Sequence, residues 1–167
     1  GTIVRVDTSS GQKATFAAAP VGIFLGCNYV SATGFKYFTN SQYWPTGTTV
    51  ATDNENYGYG WAVVCEDPDA IFVATVSNGS GTLYTASGAT QANVGQNVGY
   101  YVKTGLVNTT TGNSLVTVDL SSAATTNTLP LRIVDVVRST ALSDGSYQQV
   151  LVTYNAGFHF YRQTTGI

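Results

Sequence analysis

This sequence contains few charged side chains, no methionine and a single histidine, His159. Charged residues make up 10% of its 167 residues, whereas they make up about 25% of an average soluble domain. The seven lysines and arginines are scattered from Arg5 to Arg162, so they form no patch that could neutralise several phosphates. We therefore expect no nucleic acid among the partners of this protein.

The chain also lacks long apolar runs. The longest ones, residues 21–27 and 70–76, have the length of strands, whereas a membrane-spanning helix needs about 20 apolar residues. We find no signal peptide and expect no membrane partner. Because the chain starts at Gly1 rather than at Met, either an initiator Met has been removed or upstream residues, such as an N-terminal arm, are absent from this sequence. The length fits a single domain, residues 1–167, with its own core.

The two cysteines leave the state of the thiols open. Cys27 and Cys65 each lie in an apolar stretch, and we interpret them as small buried hydrophobic residues with free thiols. A disulfide between them is the alternative, because the two stretches could pair as neighbouring strands.

Hydroxyl, amide and aromatic side chains take the place of the missing charge. A neutral surface of this kind protects a monomer poorly against self-association. The cores of protein interfaces show the same loss of charge and the same gain of Tyr, Trp and Phe. The composition is compatible with a subunit that binds other subunits, and equally with a secreted β protein whose surface is rich in Ser, Thr and Asn.

Short runs of β-branched and aromatic residues, separated by Gly, Asn, Asp and Ser, predict an all-β fold. Val150, Val152 and Tyr154 fall on one face of a predicted strand, as a half-buried strand requires. Asp144-Gly145 gives the strongest hairpin signal. We expect a barrel or sandwich of about eight to ten short, mostly antiparallel strands. The predicted strands are residues 2–6, 21–30, 35–39, 61–66, 70–76, 82–85, 99–103, 114–120, 131–138, 148–154 and 157–162.

Little helix is expected. No stretch of twelve or more residues has helical periodicity. At most, residues 89–95 or residues 121–126 form one or two helical turns.

No constellation of residues predicts an active site, a metal site or a cofactor site. His159 has no serine partner in a Gly-x-Ser-x-Gly context, and a thiol–imidazole pair with Cys27 is the weaker interpretation. The acidic run Glu66-Asp67-Pro68-Asp69 lacks the spacing of a calcium loop. We interpret this run as a turn between two strands, with acids that serve solvation and local hydrogen bonds. A glycosidase that uses Asp67 or Asp69 would need a cleft that the sequence does not reveal.

A long aromatic interval is the best candidate for a binding site. Residues 40–60 have no strong strand pattern, and loops of this length in compact domains are usually functional or mobile. Aromatic residues in such a loop can anchor a protein interface or stack on a sugar. The predicted partner-binding residues are Tyr43, Trp44, Pro45, Tyr57 and Tyr59, within a denser aromatic set that also contains Phe35, Tyr37, Phe38 and Trp61.

The order of several motifs resembles that of a family of small virion proteins from tailed bacteriophages, the capsid-stabilising, decoration or cement proteins. The resemblance covers most of the chain from about residue 20. Its motifs are residues 20–29 (PVGIFLGCNY), 43–45 (YWP), 62–72 (AVVCEDPDAIF), 94–97 (VGQN), 111–114 (TGNS), 129–134 (LPLRIV) and 150–152 (VLV).

Two departures from the family concern the ends of the chain. The family usually has a longer N-terminal segment than this sequence. It also commonly ends its last strand with an Asn-Asn-His-like turn, where this chain has Asn155-Ala156-Gly157-Phe158-His159.

The resemblance implies a non-enzymatic decoration protein without a cofactor. Such a protein would be assembled in the host cytoplasm, would bind the major capsid protein on the outside of the phage head, and would stabilise the head. It would also bind itself, and we favour a trimer over a dimer. The alternative is a carbohydrate-binding or receptor-binding β module of a phage fibre, or a secreted lectin.

Overall fold

The computed structural model of the protein describes residues 2–4, 22–40, 60–79, 88–108, 113–140 and 148–162. These residues are mostly β, which confirms the predicted all-β class. In the described ranges, helix is limited to three 3-10 helices of three residues each, and one of them, Gln91–Asn93, lies in a predicted helical turn. The strands are β1 (Thr2–Val4), β2 (Gly22–Val30), β3 (Lys36–Thr39), β4 (Gly60–Cys65), β5 (Phe72–Ser77), β6 (Asn97–Asn108), β7 (Asn113–Ala124), β8 (Leu131–Val137) and β9 (Gln149–Tyr154).

Five strands close into a barrel in the order β5-β7-β6-β8-β9. Neighbours in a closed ring of five strands cannot all run antiparallel, so at least one pair must be parallel. That pair is β5 and β7, in which Val76 lies opposite Val118. The buried Ser77 hydroxyl stabilises this pair through a 2.6 Å hydrogen bond with the hydroxyl of Thr117.

Every second residue of β9 contributes its side chain to the barrel core, as the predicted strand periodicity requires. Val150, Val152 and Tyr154 point inward and are buried, while the residues between them are partly exposed. Burying an aliphatic side chain of this size contributes about 1.5–3 kcal/mol to folding. The buried apolar cluster consists of Ile23, Val76, Ala89, Val98, Val118, Leu120, Leu131, Ile133, Val136, Val150, Val152 and Tyr154.

Residues 88–96 cross one side of the barrel before β6 begins. The carbonyl of Ala89 accepts a 2.9 Å hydrogen bond from the Gln148 side chain next to β9. Further along, Gly95 N–H donates to the carbonyl of Ile133, and Ile133 N–H donates to the carbonyl of Gln96. The segment therefore passes β9 and β8 on its way from β5 to β6, and these hydrogen bonds satisfy several of its backbone polar groups.

A polar network fixes the loop between β7 and β8. Asn155 is buried, and its amide group donates to the carbonyl of Leu129 at 2.9 Å. Buried Asn97 donates to the carbonyl of Thr126 at 2.7 Å. The Arg132 guanidinium joins both asparagines by donating to their side-chain oxygens at 2.9 and 3.1 Å. Because each buried amide has partners, it does not carry the cost of an unsatisfied polar group.

The other four strands form a sheet around β2. β4 pairs with β2 along one edge, from Ile23↔Cys65 to Tyr29↔Gly60. β1 and β3 share the opposite edge, where β1 pairs with residues 22–24 and β3 pairs with residues 27–30. Ile23 belongs to the barrel's core cluster, so β2 contacts the barrel through its first residues.

The register of β2 and β4 settles the state of the cysteines. Cys27 lies opposite Ala62, and Cys65 lies opposite Ile23. Cys65 is three residues from Ala62, about 10 Å along the strand, which is too far for a disulfide with Cys27. Both thiols are free, as predicted.

One predicted strand is wrong, and of the two candidate helical turns only residues 89–95 contain one. Residues 157–162 are not a strand but a turn followed by the 3-10 helix Phe160–Arg162, because Gly157 adopts a φ of +86° that redirects the chain. Residues 121–126 are not a helical turn, because β7 continues to Ala124, which pairs with Asn97 of β6. The predicted strand at residues 82–85 and the predicted turn at Asp144-Gly145 lie outside the described residues.

The acidic run forms the predicted turn, which links the sheet to the barrel. Ala70 N–H donates to the carbonyl of Asp67, and Asp69 N–H donates to the Asp67 carboxylate at 2.9 Å. Pro68 occupies the second position of this turn, where its fixed φ is favourable.

In the described part of the chain, no helix is long and apolar enough to cross a membrane.

The buried Tyr154 hydroxyl should make the free energy of unfolding depend on alkaline pH. It is buried and has no hydrogen-bond partner among the described residues. Burial, together with the charge of nearby Cys65, raises the pKa of Tyr154 above its ordinary range. The unfolded chain therefore releases this proton first, so stability is intact below about pH 10 and falls above it by about 1.4 kcal/mol per pH unit for this one group.

We expect Tyr154→Phe to keep or slightly raise the free energy of unfolding at pH 7 and to flatten its decline above pH 10. Urea unfolding followed by tryptophan fluorescence at pH 7 and at pH 10.5 measures both. Tyr37→Phe, which removes an exposed phenol, is the matched control and should keep the slope of the unaltered protein. A Tyr154→Phe protein with that same slope would contradict the assignment.

Candidate protein-binding surface

The predicted partner-binding residues lie outside the described residues. Tyr43, Trp44 and Pro45 belong to the interval between β3 and β4, and so do Tyr57 and Tyr59. Their role as contacts stays a prediction. The two strands that flank this interval are described, and they lie on opposite edges of β2.

A row of side chains crosses these three strands. Asn28 of β2 lies directly opposite Phe38 of β3 on one side and Trp61 of β4 on the other. Directly opposed residues in antiparallel strands share a face of the sheet. Phe38 is 68% exposed and Trp61 is 59% exposed, so two large aromatic side chains stand in solvent on one face.

The same face continues along the strands. Val63 follows Trp61 by two residues, lies opposite Gly26, and is 37% exposed. Gly26 has no side chain, so nothing of β2 covers the valine. We call Phe38, Asn28, Trp61 and Val63 the aromatic face.

A bulge in β2 ends the aromatic face. The register with β4 shifts between Phe24 and Gly26. Leu25, the extra residue, is 50% exposed. Bulges of this kind bend a strand and redirect its side chains, and here the bulge separates residues 26–30, which pair with β3, from the start of β2, which reaches the barrel core.

The opposite face of the sheet carries a second aromatic pair. Tyr29 and Tyr37 lie opposite each other, and their rings stack at a centroid distance of 5.1 Å with an interplanar angle of 17°. Such cross-strand aromatic pairs stabilise a hairpin. The stack therefore has a structural role in joining β3 to β2.

The sheet carries almost no charge. The sequences of β2, β3 and β4 contain a single charged residue, Lys36. Lys36 precedes Phe38 by two residues and therefore lies at the end of the aromatic face. A surface of this composition matches the core of a protein interface, where charge is depleted and aromatic residues are enriched.

A tight turn positions Phe38. Gly34 N–H donates to the carbonyl of Ser31 at 2.8 Å, and Ser31 N–H donates to the carbonyl of Phe35 at the same distance. The Ser31 hydroxyl also accepts a hydrogen bond from Phe35 N–H at 3.1 Å. Gly34 has a φ of +84°, as the last position of a three-residue hairpin loop requires. This geometry fixes the register that places Phe38 beside Asn28.

The residues considered for catalysis are buried or paired with other side chains of the protein. Cys27 is fully buried, and burial raises the pKa of its thiol, which disfavours the reactive thiolate. Glu66 accepts a hydrogen bond from the Tyr161 hydroxyl at 3.2 Å, and Asp69 pairs with Arg162 at 2.6 Å. Among the described residues, no group of three or more His, Cys, Asp or Glu side chains is arranged to hold a metal ion.

Sequence reasoning found part of the aromatic face and missed the rest. Phe38 and Trp61 belong to the aromatic set singled out above. Asn28 and Val63 were missed, because their place beside the aromatic residues depends on pairing between distant segments. The run Trp61-Ala62-Val63 has no polar alternation, a pattern typical of buried strands, yet all three residues are exposed.

Comparisons with protein-family models, with curated proteins and with solved structures found no match to this chain. The resemblance to phage decoration proteins therefore stays a prediction.

Gly34 offers a test of how the turn supports the aromatic face. We expect Gly34→Ala to lower the free energy of unfolding by about 1 kcal/mol, because an L side chain is strained at a left-handed φ. Nothing lies within 4 Å of a Cβ at this position, so a steric clash is not the cause. Gly34→Asn is the matched control, since asparagine tolerates this conformation, and it should cost less. Equal losses in urea unfolding would contradict the strain argument.

Proposed function

We propose that this chain is a non-enzymatic structural protein that binds another protein through its aromatic face. We further propose that it is a decoration protein, which binds the outer surface of the major capsid lattice of a phage head and stabilises the head. The observation that carries the proposal is the exposed row of Phe38 and Trp61 on paired strands of a nearly uncharged sheet. The motif resemblance supports the capsid as the partner.

The aromatic face suits a binding anchor for physical reasons. Its side chains stand on hydrogen-bonded strands, so less conformational entropy is lost on binding than for anchors on a free loop. Aromatic anchors at interface centres are the residues whose truncation typically costs about 2 kcal/mol or more. An exposed apolar surface of this kind on a protein with few charges is also a liability for self-association unless a partner covers it.

Stabilisation of the head would follow from mass action. A protein that binds the assembled lattice but not free subunits shifts the equilibrium toward the lattice, and the shift grows with the ratio of free protein to its Kd. No chemical step is required. The sheet would supply the contact, and the closed barrel would supply a rigid support.

A carbohydrate-binding module is the second candidate, and one observation favours it. Tyr37 is 48% exposed and stacks on Tyr29 on the face of the sheet opposite the aromatic face. Planar aromatic rings at a surface can also stack on sugar rings. The two candidates differ in their partner: a decoration protein binds purified heads, whereas a lectin binds glycans or cells and ignores heads.

Substitutions on the aromatic face test the proposed function. We expect Trp61→Ala and Phe38→Ala each to weaken binding at least about tenfold, the loss of roughly 1.4 kcal/mol or more expected for an anchor. Co-sedimentation with emptied heads of the phage that encodes the chain measures the Kd. The melting temperature should change little, because both side chains are exposed.

Val73→Ala is the matched control, since Val73 is 59% exposed but lies on the barrel. It should bind heads as the unaltered protein does. If the unaltered protein ignores heads and is retained by a glycan surface, the carbohydrate candidate is correct. If Trp61→Ala binds heads normally, the aromatic face is not the contact.

The scarcity of charge predicts a weak dependence on salt. With Lys36 as the single charge on β2, β3 and β4, the contact depends on apolar burial and neutral hydrogen bonds. We expect the Kd for heads to change less than about threefold between 50 and 300 mM NaCl, because screening acts on exposed charges. Release of the protein from heads at 300 mM NaCl would show an electrostatic contact.

A further inference from the structure

β4 forms one edge of the sheet. Among the described residues it pairs with β2 alone, from Ile23↔Cys65 to Tyr29↔Gly60. An edge strand presents a row of unpaired backbone N–H and C=O groups, which can pair with a further strand. The barrel has no such edge, because its five strands close on themselves.

The sequence of β4 lacks the charge and the proline that protect edge strands. β1 and β3, on the other side of β2, are three and four residues long, and β3 carries Lys36. Short length and a lysine both discourage further pairing. β4 is six residues long, and its sequence, GWAVVC, contains neither a charge nor a proline. The extra residue of the bulge, Leu25, lies on β2, so β4 is regular. β4 is therefore the edge of this sheet that favours a further strand.

The middle of β4 is exposed on both faces of the sheet. Trp61 and Val63 are exposed on the aromatic face. Ala62, which points to the opposite face, is exposed as well. The side chains of a strand that pairs along this edge would therefore find apolar neighbours on both faces.

We propose that β4 pairs antiparallel with β4 of a second copy of the chain, across a two-fold axis that passes between the two Ala62 residues. A two-fold contact joins the same surface of both copies, so this surface must complement itself. In this register, Trp61 of each copy lies opposite Val63 of the other. Pairs of an aromatic and a β-branched residue are favourable across antiparallel strands. Two such pairs then flank a small residue at the axis, so β4 complements itself.

The charges next to β4 favour the antiparallel arrangement. Glu66 and Asp67 follow the strand directly. In an antiparallel pair, these acidic residues of the two copies lie at opposite ends of the joined strands, whereas a parallel pair would place them side by side, where like charges repel. The net charge of each chain is only −2, so the overall repulsion between two copies is weak.

The dimer does not depend on what the aromatic face binds. Directly opposed residues share a face of a sheet, so the aromatic faces of both copies point to the same side of the joined sheet. A lattice of repeated subunits would then bind both faces at once, which strengthens binding without a new contact. The resemblance to decoration proteins implies a trimer instead, so the oligomeric state distinguishes the two expectations.

Analytical ultracentrifugation of the full chain tests the contact. We expect the unaltered protein to sediment as a dimer at about 100 μM, since association depends on concentration. Ala62→Lys and Ala62→Glu each place like charges opposite each other at the axis, so each alone should raise the Kd of the dimer at least about tenfold. An equimolar mixture of the two variants places opposite charges together and should restore the dimer. Val73→Lys is the matched control, because it adds the same charge at an exposed position of the barrel and should not change the Kd.

Hydrogen exchange shows whether the edge of β4 is the contact. Pairing along this edge protects the β4 amides that face away from β2, so their protection factors should rise at least about tenfold from dilute monomer to concentrated dimer. The amide of Val150 in the barrel should be protected equally in both. The proposal is overturned if the unaltered chain stays monomeric or sediments as a trimer at the higher concentration. It is also overturned if the mixture of Ala62 variants does not restore the dimer, or if a dimer forms without protection of β4.

Discussion

Closure of a ring with an odd number of strands is the constraint on which the barrel depends. Five strands cannot alternate in direction around a closed ring, and the parallel contact between β5 and β7 resolves the mismatch. A parallel pair cannot be joined by a tight turn. The chain therefore leaves β5, crosses β9 and β8 as residues 88–96, and returns as β6 before β7 reaches β5. The crossing segment is part of the core, since Ala89 belongs to the buried cluster.

The sheet shares one residue of β2 with the core cluster of the barrel. β2 contributes Ile23 to the shared core, and the bulge at Leu25 then changes its course. Beyond the bulge, β2 lies between β3 and β4, and the three strands carry aromatic side chains on both faces of the sheet. The aromatic face is held by hydrogen-bonded strands.

Most of the fold could be predicted from local patterns, and most of the candidate site could not. The alternation of Val150, Val152 and Tyr154 predicts β9 and its buried face correctly, because strand periodicity is a local property. The same patterns fail at residues 157–162, where Gly157 turns an aromatic run into a 3-10 helix. Phe38 and Trp61 are neighbours because both strands pair with β2 at Asn28. The register between such distant segments cannot be predicted from the local pattern of any one of them. The predicted contact residues between β3 and β4 lie outside the described part of the chain.

The parallel contact has a consequence for the order in which the protein folds. β6 with β7 and β8 with β9 are hairpins of residues close in sequence, and such contacts form with little loss of chain entropy. β5, by contrast, meets both β7 and β9 only across long stretches of sequence, and contacts of this kind slow folding. We infer that the two hairpins assemble early and that β5 enters the ring late, between β7 and β9. Until then, the edges of β7 and β9 that β5 covers are open to pairing with another chain.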